Sequence, residues 1–202
     1  MTVKRLFDVT FALFALLFGS PLFLLCALIV KISSPGPAFH ACTRIGKNKT
    51  PFQCWKFRTM VVNAEEQLQV LLTSNNALMQ EWNTFYKLKE DPRITPTGKW
   101  LRKTSLDELP QFWNVLKGDM SIVGPRPLSQ TEIEEYVKDK APKILSLRPG
   151  LTSIWTVSGR SKISYPERLL LEEQYVDKRS FLLDLILIGK TLITMLFPKG
   201  AY

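Results

Sequence analysis

From Val9 to Val30 the chain runs without a charge, VTFALFALLFGSPLFLLCALIV, 22 residues in all. As one helix rising 1.5 Å per residue it would reach about 33 Å, enough for a bilayer core of about 30 Å. The run is too long for the apolar part of a cleaved signal peptide, and no small-x-small cleavage site follows it. Cys26 follows two leucines and does not read as a lipoprotein cysteine. The segment is expected to stay on the protein.

Gly19-Ser20-Pro21 interrupts this run. Proline removes a backbone donor and turns the residue before it away from helical angles. A break at Ser20-Pro21 leaves pieces of about 18 and 15 Å, each half a bilayer deep. Lys4 and Arg5 precede the run, and Lys31, Arg44, Lys47 and Lys49 follow it. A hairpin that enters, bends and exits on one side keeps both basic flanks cytoplasmic, as the positive-inside tendency favours. A kinked single span is the alternative, since membrane helices tolerate proline.

The remainder is polar enough for one domain of ordinary size: 202 residues, net charge +9. Residues 1–64 hold eight Lys or Arg and one acid, Asp8. Such a balance suggests an anionic partner: nucleic acid, an acidic membrane surface or a phosphorylated substrate. Cys26, Cys42 and Cys54 lack metal spacing and suit a reducing compartment. The single histidine, His40, excludes a multi-histidine metal site and reads as a surface residue.

Along the chain, 33–39 is a breaker cluster and 52–60 alternates like a strand, with Lys56 and Arg58 on one face. Residues 63–88 include a helix, and 90–100 is a turn-rich connector. A helix starting near Thr104 should end near Gly118. Residues 121–129 read as a short strand and a stiff proline loop, 130–140 as an acidic helix, and 148–160 as a turn, a strand and a basic loop. Helices follow at 166–177 and 181–197. The last carries Asp184 and Lys190 and is short for a span; an amphipathic interfacial helix and a buried core helix both fit it. No glycine fingerprint for a nucleotide is present: in CTRIGKNKT, Ala41 and Asn48 occupy positions a phosphate loop requires to be Gly and Ser or Thr.

TSLDELPQFWNV, 104–115, places Asp107 beside Glu108. As structure, Ser105 and Glu108 have the spacing of a capping box, a common device worth about 1 kcal/mol. As chemistry, adjacent carboxylates ionise together only with a cation close by, and Mg²⁺ shared with substrate phosphates is one such cation. Lys56, Arg58, Arg93, Arg102, Lys103, Arg126, Arg148 and Arg160 are the basic residues around the pair. Arginine suits phosphate because its planar fork binds two oxygens at once.

The stretch DPRITPTGKWLRKTSLDELPQFWNVLKGDMSIVGPRP, 91–127, closely resembles the bacterial sugar transferase family, the monotopic polyprenyl-phosphate phosphoglycosyl transferases. KFRTM (56–60), the apolar segment broken at Ser-Pro, and RPGLT, GRS and LDL toward the C-terminus extend the likeness over nearly the whole chain. The resemblance implies an α+β, mostly helical protein of the small catalytic-domain type. A re-entrant membrane helix-break-helix at 1–33 would precede a catalytic domain at 34–202 with a small β element and amphipathic interfacial helices. It implies Asp107 as nucleophile on the β-phosphate of a UDP-sugar, release of UMP, and passage of the phosphosugar to polyprenol (undecaprenyl) phosphate. Mg²⁺ would bind at Asp107, and Glu108 would assist, accepting a proton from the lipid phosphate. Arg102 and Arg126 would contact phosphate, Pro125-Arg126-Pro127 would shape the nucleotide pocket, and Lys56, Arg58 and Arg160 would complete the substrate-binding set.

The implied place is the cytoplasmic face of the bacterial inner membrane, with the phospholipid bilayer and downstream glycosyltransferases as partners and no nucleic acid. A membrane-anchored basic protein binding nucleic acid or anionic lipid is the competing reading. The chain departs from the family at Thr152-Ser153, where Thr-Gly is frequent, at Thr156, where Gln is, and at Leu171-Glu172, where Leu-Asp is.

Overall fold

The computed structural model describes residues 3–85, 88–159 and 163–196. It is mostly helical with two small sheets, as expected of an α+β chain. Helix α1, Val3–Ser33, spans the apolar run as one helix with Pro21 inside it. The expected division into two helices at Ser20-Pro21 is thus corrected to a continuous helix. The reason is local. Pro21 cannot donate to the carbonyl of Leu17, and the Ser20 hydroxyl donates to it instead, at 2.8 Å. In an apolar surrounding an unpaired carbonyl is costly, so this substitute bond lets the helix pass its proline.

Both ends of α1 rest on one globular body. At its start, Lys4 pairs with Asp184 at 2.6 Å, and Arg5 donates to the carbonyls of Val115 and Leu116. Asp8, buried, accepts from the Ser121 hydroxyl and the Ile122 N–H. Toward its end, Cys26 and Val30 pack with Phe57 and Leu101. The opposite face, with Leu13, Phe14, Leu17, Phe18, Leu24, Leu25 and Leu28, is exposed. Six or more large apolar side chains on one open face are what a lipid-facing helix carries.

Strands β1, Phe39–Ile45, and β2, Pro51–Phe57, pair antiparallel with Cys42 opposite Cys54. β1 was absent from the sequence expectations. His40 is exposed, and all three cysteines are free thiols, as expected. Helices α2, Ala64–Ser74, and α3, Asn76–Phe85, share a small core of their own around Leu68, Leu72 and Leu88. Helix α4, Pro96–Thr104, is capped by the Thr95 hydroxyl, which accepts from the Gly98 N–H. A Cβ on Gly98 would lie 2.0 Å from the Thr59 carbonyl oxygen, so only glycine lets α4 approach the end of the hairpin.

A 3₁₀ turn, Leu106–Glu108, leads into α5, Gln111–Lys117, which ends at Gly118 in the left-handed region as the sequence indicated. β3, Ser121–Val123, pairs in parallel with β4, Gly150–Thr152. Between them run α6, Gln130–Glu132, a π turn, Ile133–Val137, a 3₁₀ turn, Lys138–Lys140, and α7, Ala141–Ile144. α8, Ile154–Ser158, replaces part of the expected basic loop, because the Ser153 hydroxyl caps its first turn. α9, Tyr165–Lys178, and α10, Phe181–Leu196, follow.

The main core gathers Ala12 of α1, Phe52 and Cys54 of β2, Val115, Met120, Ile122, Val123, Tyr175 and Leu187. α10 turns Asp184 and Leu187 inward and leaves Leu182, Leu185, Ile186, Leu192 and Ile193 exposed. It therefore combines both sequence readings: one face is core, the other is apolar and open. Asp184 is held by Lys4 and by the Tyr175 hydroxyl at 2.7 Å, which accounts for a charge within so apolar a helix.

Candidate active site

Asp107 and Glu108 lie on the 3₁₀ turn between α4 and α5. The expected capping box is not formed. Ser105 has φ 58°, closes α4 by donating its N–H to Leu101 and Arg102, and makes no side-chain cap. An N-cap needs extended angles, and Ser105 is already the left-handed terminus of the preceding helix. The Glu108 side chain, freed from a capping role, pairs with Lys56 Nζ at 2.6 Å. Capping boxes do form at Ser129/Glu132 and Ser164/Glu167.

One amide sets the turn against the hairpin. Asn114 of α5 is fully buried; its Oδ1 accepts from the Trp55 N–H at 3.0 Å, and its Nδ2 donates to the Gln53 carbonyl at 2.7 Å and to Asp119. β2 then presents Lys56, the residue after Trp55, to Glu108. From the other side Arg102, whose Nε donates to the Thr59 hydroxyl at 2.9 Å, is close enough to act on Asp107 electrostatically.

Asp107 is 7% exposed. Burial raises its pKa most, Glu108 adds to this, and Lys56 and Arg102 oppose it, leaving the carboxyl pushed up to about 6. Burial draws the Lys56 ammonium down, but Glu108 and Asp107 outweigh it, so its pKa stands above the ordinary lysine value. Among the described residues the ion pair at this turn goes to Glu108 and not to Asp107. An ionised, weakly paired carboxylate among cations can attack a phosphorus centre or hold a metal. Among the described residues no three His, Cys, Asp or Glu side chains converge on a metal position.

The Pro125-Arg126-Pro127 loop is held by β4. The Gly150 N–H donates to the Pro125 carbonyl at 2.8 Å, and a Cβ on Gly150 would meet the Gly124 nitrogen at 2.1 Å. Arg126 is close enough to Lys56 to act on it electrostatically. Its guanidinium lies 5.0 Å from the Trp155 ring centroid, and that of Arg168 lies 5.1 Å from the same ring. Such cation–π contacts hold a guanidinium without neutralising it. Below them Glu172, 2% exposed, is pushed up to about 7 by burial, against the pull of Arg168 and weaker pulls from the Arg126 N–H and the Ser153 hydroxyl.

Among the described residues, three buried donor atoms without a hydrogen-bond partner collect here: Trp155 Nε1 and Arg168 Nε and Nη2. Glu132, facing Arg44 and Arg168, goes the other way: burial pushes it up, but the Ser129 N–H and three arginines outweigh burial. Ser153, Thr156 and Glu172, where the sequence departs from the resembled family, therefore meet in one cluster beside Arg126.

Other expected residues are used elsewhere. Arg58 donates to the carbonyls of Ser34 and Pro35 and so secures the turn that follows α1. Arg93 grips Asp91 and the Ala64 carbonyl, and Arg148 the Gly118 carbonyl. Arg160 lies outside the described residues. Sequence reasoning missed Asn114, Trp155 and Arg168. An asparagine amid the apolar residues of QFWNVL was the one signal for the first of these.

Fold and cluster together suit a membrane-associated enzyme with an anionic substrate. The family model for bacterial sugar transferases matches residues 1–198, and the chain belongs to that family. It is 47% identical over 200 residues to the exopolysaccharide production protein ExoY of Sinorhizobium fredii, covering 98% of this chain and 88% of the relative. Identity is 42% over 201 residues to the undecaprenyl-phosphate galactose phosphotransferase of Salmonella typhimurium, covering 99% of this chain and 42% of that protein. For the UDP-N-acetylgalactosamine-undecaprenyl-phosphate N-acetylgalactosaminephosphotransferase of Aeromonas hydrophila it is 34%, covering 98% of this chain and 45% of that protein. The chain is thus an enzyme, a transferase.

Proposed function

We propose that the chain transfers a phosphosugar from a UDP-sugar to polyprenol phosphate, undecaprenyl phosphate in a bacterial inner membrane, through a covalent intermediate on Asp107. The observation that carries this reading is the Asp107 carboxyl, buried and flanked by Lys56 and Arg102. The names of the Salmonella and Aeromonas relatives support the substrate classes.

An Asp107 oxygen forms a bond to the β-phosphorus, and the bond from that phosphorus to the bridging oxygen breaks, so UMP leaves with the electron pair. A phosphate oxygen of the polyprenol phosphate then attacks the same phosphorus, and the Asp107 carboxylate is released. Glu108, beside Lys56, takes the proton of the incoming lipid phosphate. Arg102 and Arg126 stabilise charge on the phosphates. The residues fit a magnesium ion: Asp107 and Glu108 set two carboxylates side by side, and the Lys56 salt bridge goes to Glu108. Asp107 would hold the ion, which supplies charge neutralisation, with phosphate and water oxygens completing its shell.

Attachment of both ends of α1 to one body supports a monotopic placement, and the basic flanks of α1 support the cytoplasmic face for the catalytic body. A helix whose two ends are tied to the same body does not carry them to opposite sides of a bilayer. The test is UMP release by the full chain in membranes given UDP-sugars, Mg²⁺ and undecaprenyl phosphate. Release is expected for at least one sugar and should vanish with chelator; UMP formation by Asp107→Asn would sink the covalent route.

A further inference from the structure

Between its two anchored ends α1 stands away from the body. Asp8, Ala12, Cys26 and Val30 are buried, whereas nothing lies within 4 Å of a Cβ placed on Gly19. The gap is a cavity of about 250 Å³ lined by Leu16, Phe23, Phe39, Trp55, Pro110 and Trp113. A smaller hollow of about 30 Å³ shares Leu16 and Phe23 and continues it past Gly19 to Phe112. Every lining side chain of the larger cavity is apolar, and four of them, Phe23, Phe39, Trp55 and Trp113, are aromatic.

The gap sits beside the chemistry. Pro110 of its wall is two residues from Glu108, and β2 gives Trp55 to the cavity and the next residue, Lys56, to Glu108. Its other wall is the lipid-facing helix at its proline. An apolar hollow of this size, walled by the lipid-facing helix and by Pro110 beside the acid turn, matches the branched hydrocarbon chain of an amphiphile whose phosphate head goes to that turn. A bulk phospholipid offers Lys56 and Arg102 only a phosphodiester, whereas a polyprenol phosphate offers a terminal, more highly charged monoester.

We infer that this crevice is the subsite for the head-proximal isoprene units of the polyprenol phosphate acceptor. The inference rests on the acceptor named under the proposed function and deepens it. α1 thereby acts as one wall of the acceptor site as well as an anchor. The stand-off at Gly19-Ser20-Pro21 is what makes room for the chain.

The test fills the crevice. In the full chain in nanodiscs, Leu16→Trp projects into it, and Leu17→Trp, at an exposed position on the outward face, is the control. UMP released from UDP-sugar alone reads the donor step; turnover against undecaprenyl phosphate reads the acceptor step. Leu16→Trp is expected to raise KM for undecaprenyl phosphate at least tenfold while the donor-only burst keeps its amplitude, and Leu17→Trp should move neither beyond twofold. Equal behaviour of the two variants, or loss of the donor burst together with the acceptor step, overturns the inference.

Where Leu16→Trp does not fold, Leu16→Phe repeats the test with the same criteria. Emission of Trp55 and Trp113 gives a readout independent of turnover. Farnesyl phosphate should shift it to the blue in the wild type and not in the Leu16 variant, even if no UDP-sugar yields UMP and the proposed function fails. Dodecyl phosphate, with the same head and a straight chain, should shift it at least fivefold more weakly. Equal potency makes the crevice a general lipid hollow and overturns the prenyl assignment.

Discussion

Asp107 and Glu172 are both buried carboxyls with pKa values pushed up toward neutrality, about 6 and about 7, yet their surroundings differ. Asp107 lies on a short turn with Glu108 beside it and with Lys56 and Arg102 acting from two sides. Glu172 lies within a long helix beside the Arg126–Trp155–Arg168 stack. Burial raises a carboxyl pKa wherever it occurs; only the position at the cation-ringed turn couples that shift to a place where a phosphate can arrive. A perturbed pKa alone would have ranked Glu172 first.

The largest effect that separates the two is on turnover. Asp107→Asn should lower UMP release about 10³-fold or more, whereas Glu172→Gln should stay within about tenfold, both measured at saturating donor. Comparable losses would erase the distinction. Next comes Asn114→Ala, which strands the Trp55 N–H and the Gln53 carbonyl on the Asp107 side of the molecule. It should cost roughly 3 kcal/mol in denaturant unfolding and lower turnover as well, because the turn loses its register on β2.

Of similar size but opposite sign is the stability of Glu172→Gln. The folded pKa of Glu172 lies above its ordinary value, so the native state retains a proton that the unfolded chain has lost. Its contribution is therefore most favourable below about pH 4.5 and declines as pH rises toward 7, after which it is level. Glu172→Gln should remove that slope and exceed the wild type above pH 7 by on the order of 3 kcal/mol, read from unfolding midpoints between pH 4 and 8. An unchanged slope would mean that Glu172 is not the titrating group.

The smallest effect concerns the turn itself. Ser105→Gly suits the left-handed angles of Ser105 and should stabilise the chain by about 0.5–1 kcal/mol in thermal melts. A capping box at that position would predict a loss instead.

Much of this was legible in the residues. The uncharged run and the basic flanks marked α1, strand alternation marked β2, and Gly118 marked the end of α5. The acid pair and Arg126 were likewise visible in the motif. What failed to show depended on neighbours distant in sequence. S-x-x-E at 105–108 has the same letters as the true boxes at 129–132 and 164–167, but α4 runs directly into it. β1 has no clean alternation, since its pairing with β2 and not its own pattern defines it. The Ser20 bond to Leu17 reverses the usual meaning of a mid-helix proline. Trp155 and Arg168 became a unit only once α8 and α9 were in contact.

The anchoring of α1 also has a consequence for how the chain is made. Its first turns are tied by Val115, Leu116, Ser121 and Ile122, and Lys4 by Asp184. Translation at about 5–20 residues per second separates Lys4 from Asp184 by roughly 10 to 40 s. During that interval α1 has left the ribosome and its docking surface has not been synthesised. The nascent helix must be sheltered by lipid or by insertion machinery, so delivery to the membrane precedes completion of the catalytic body.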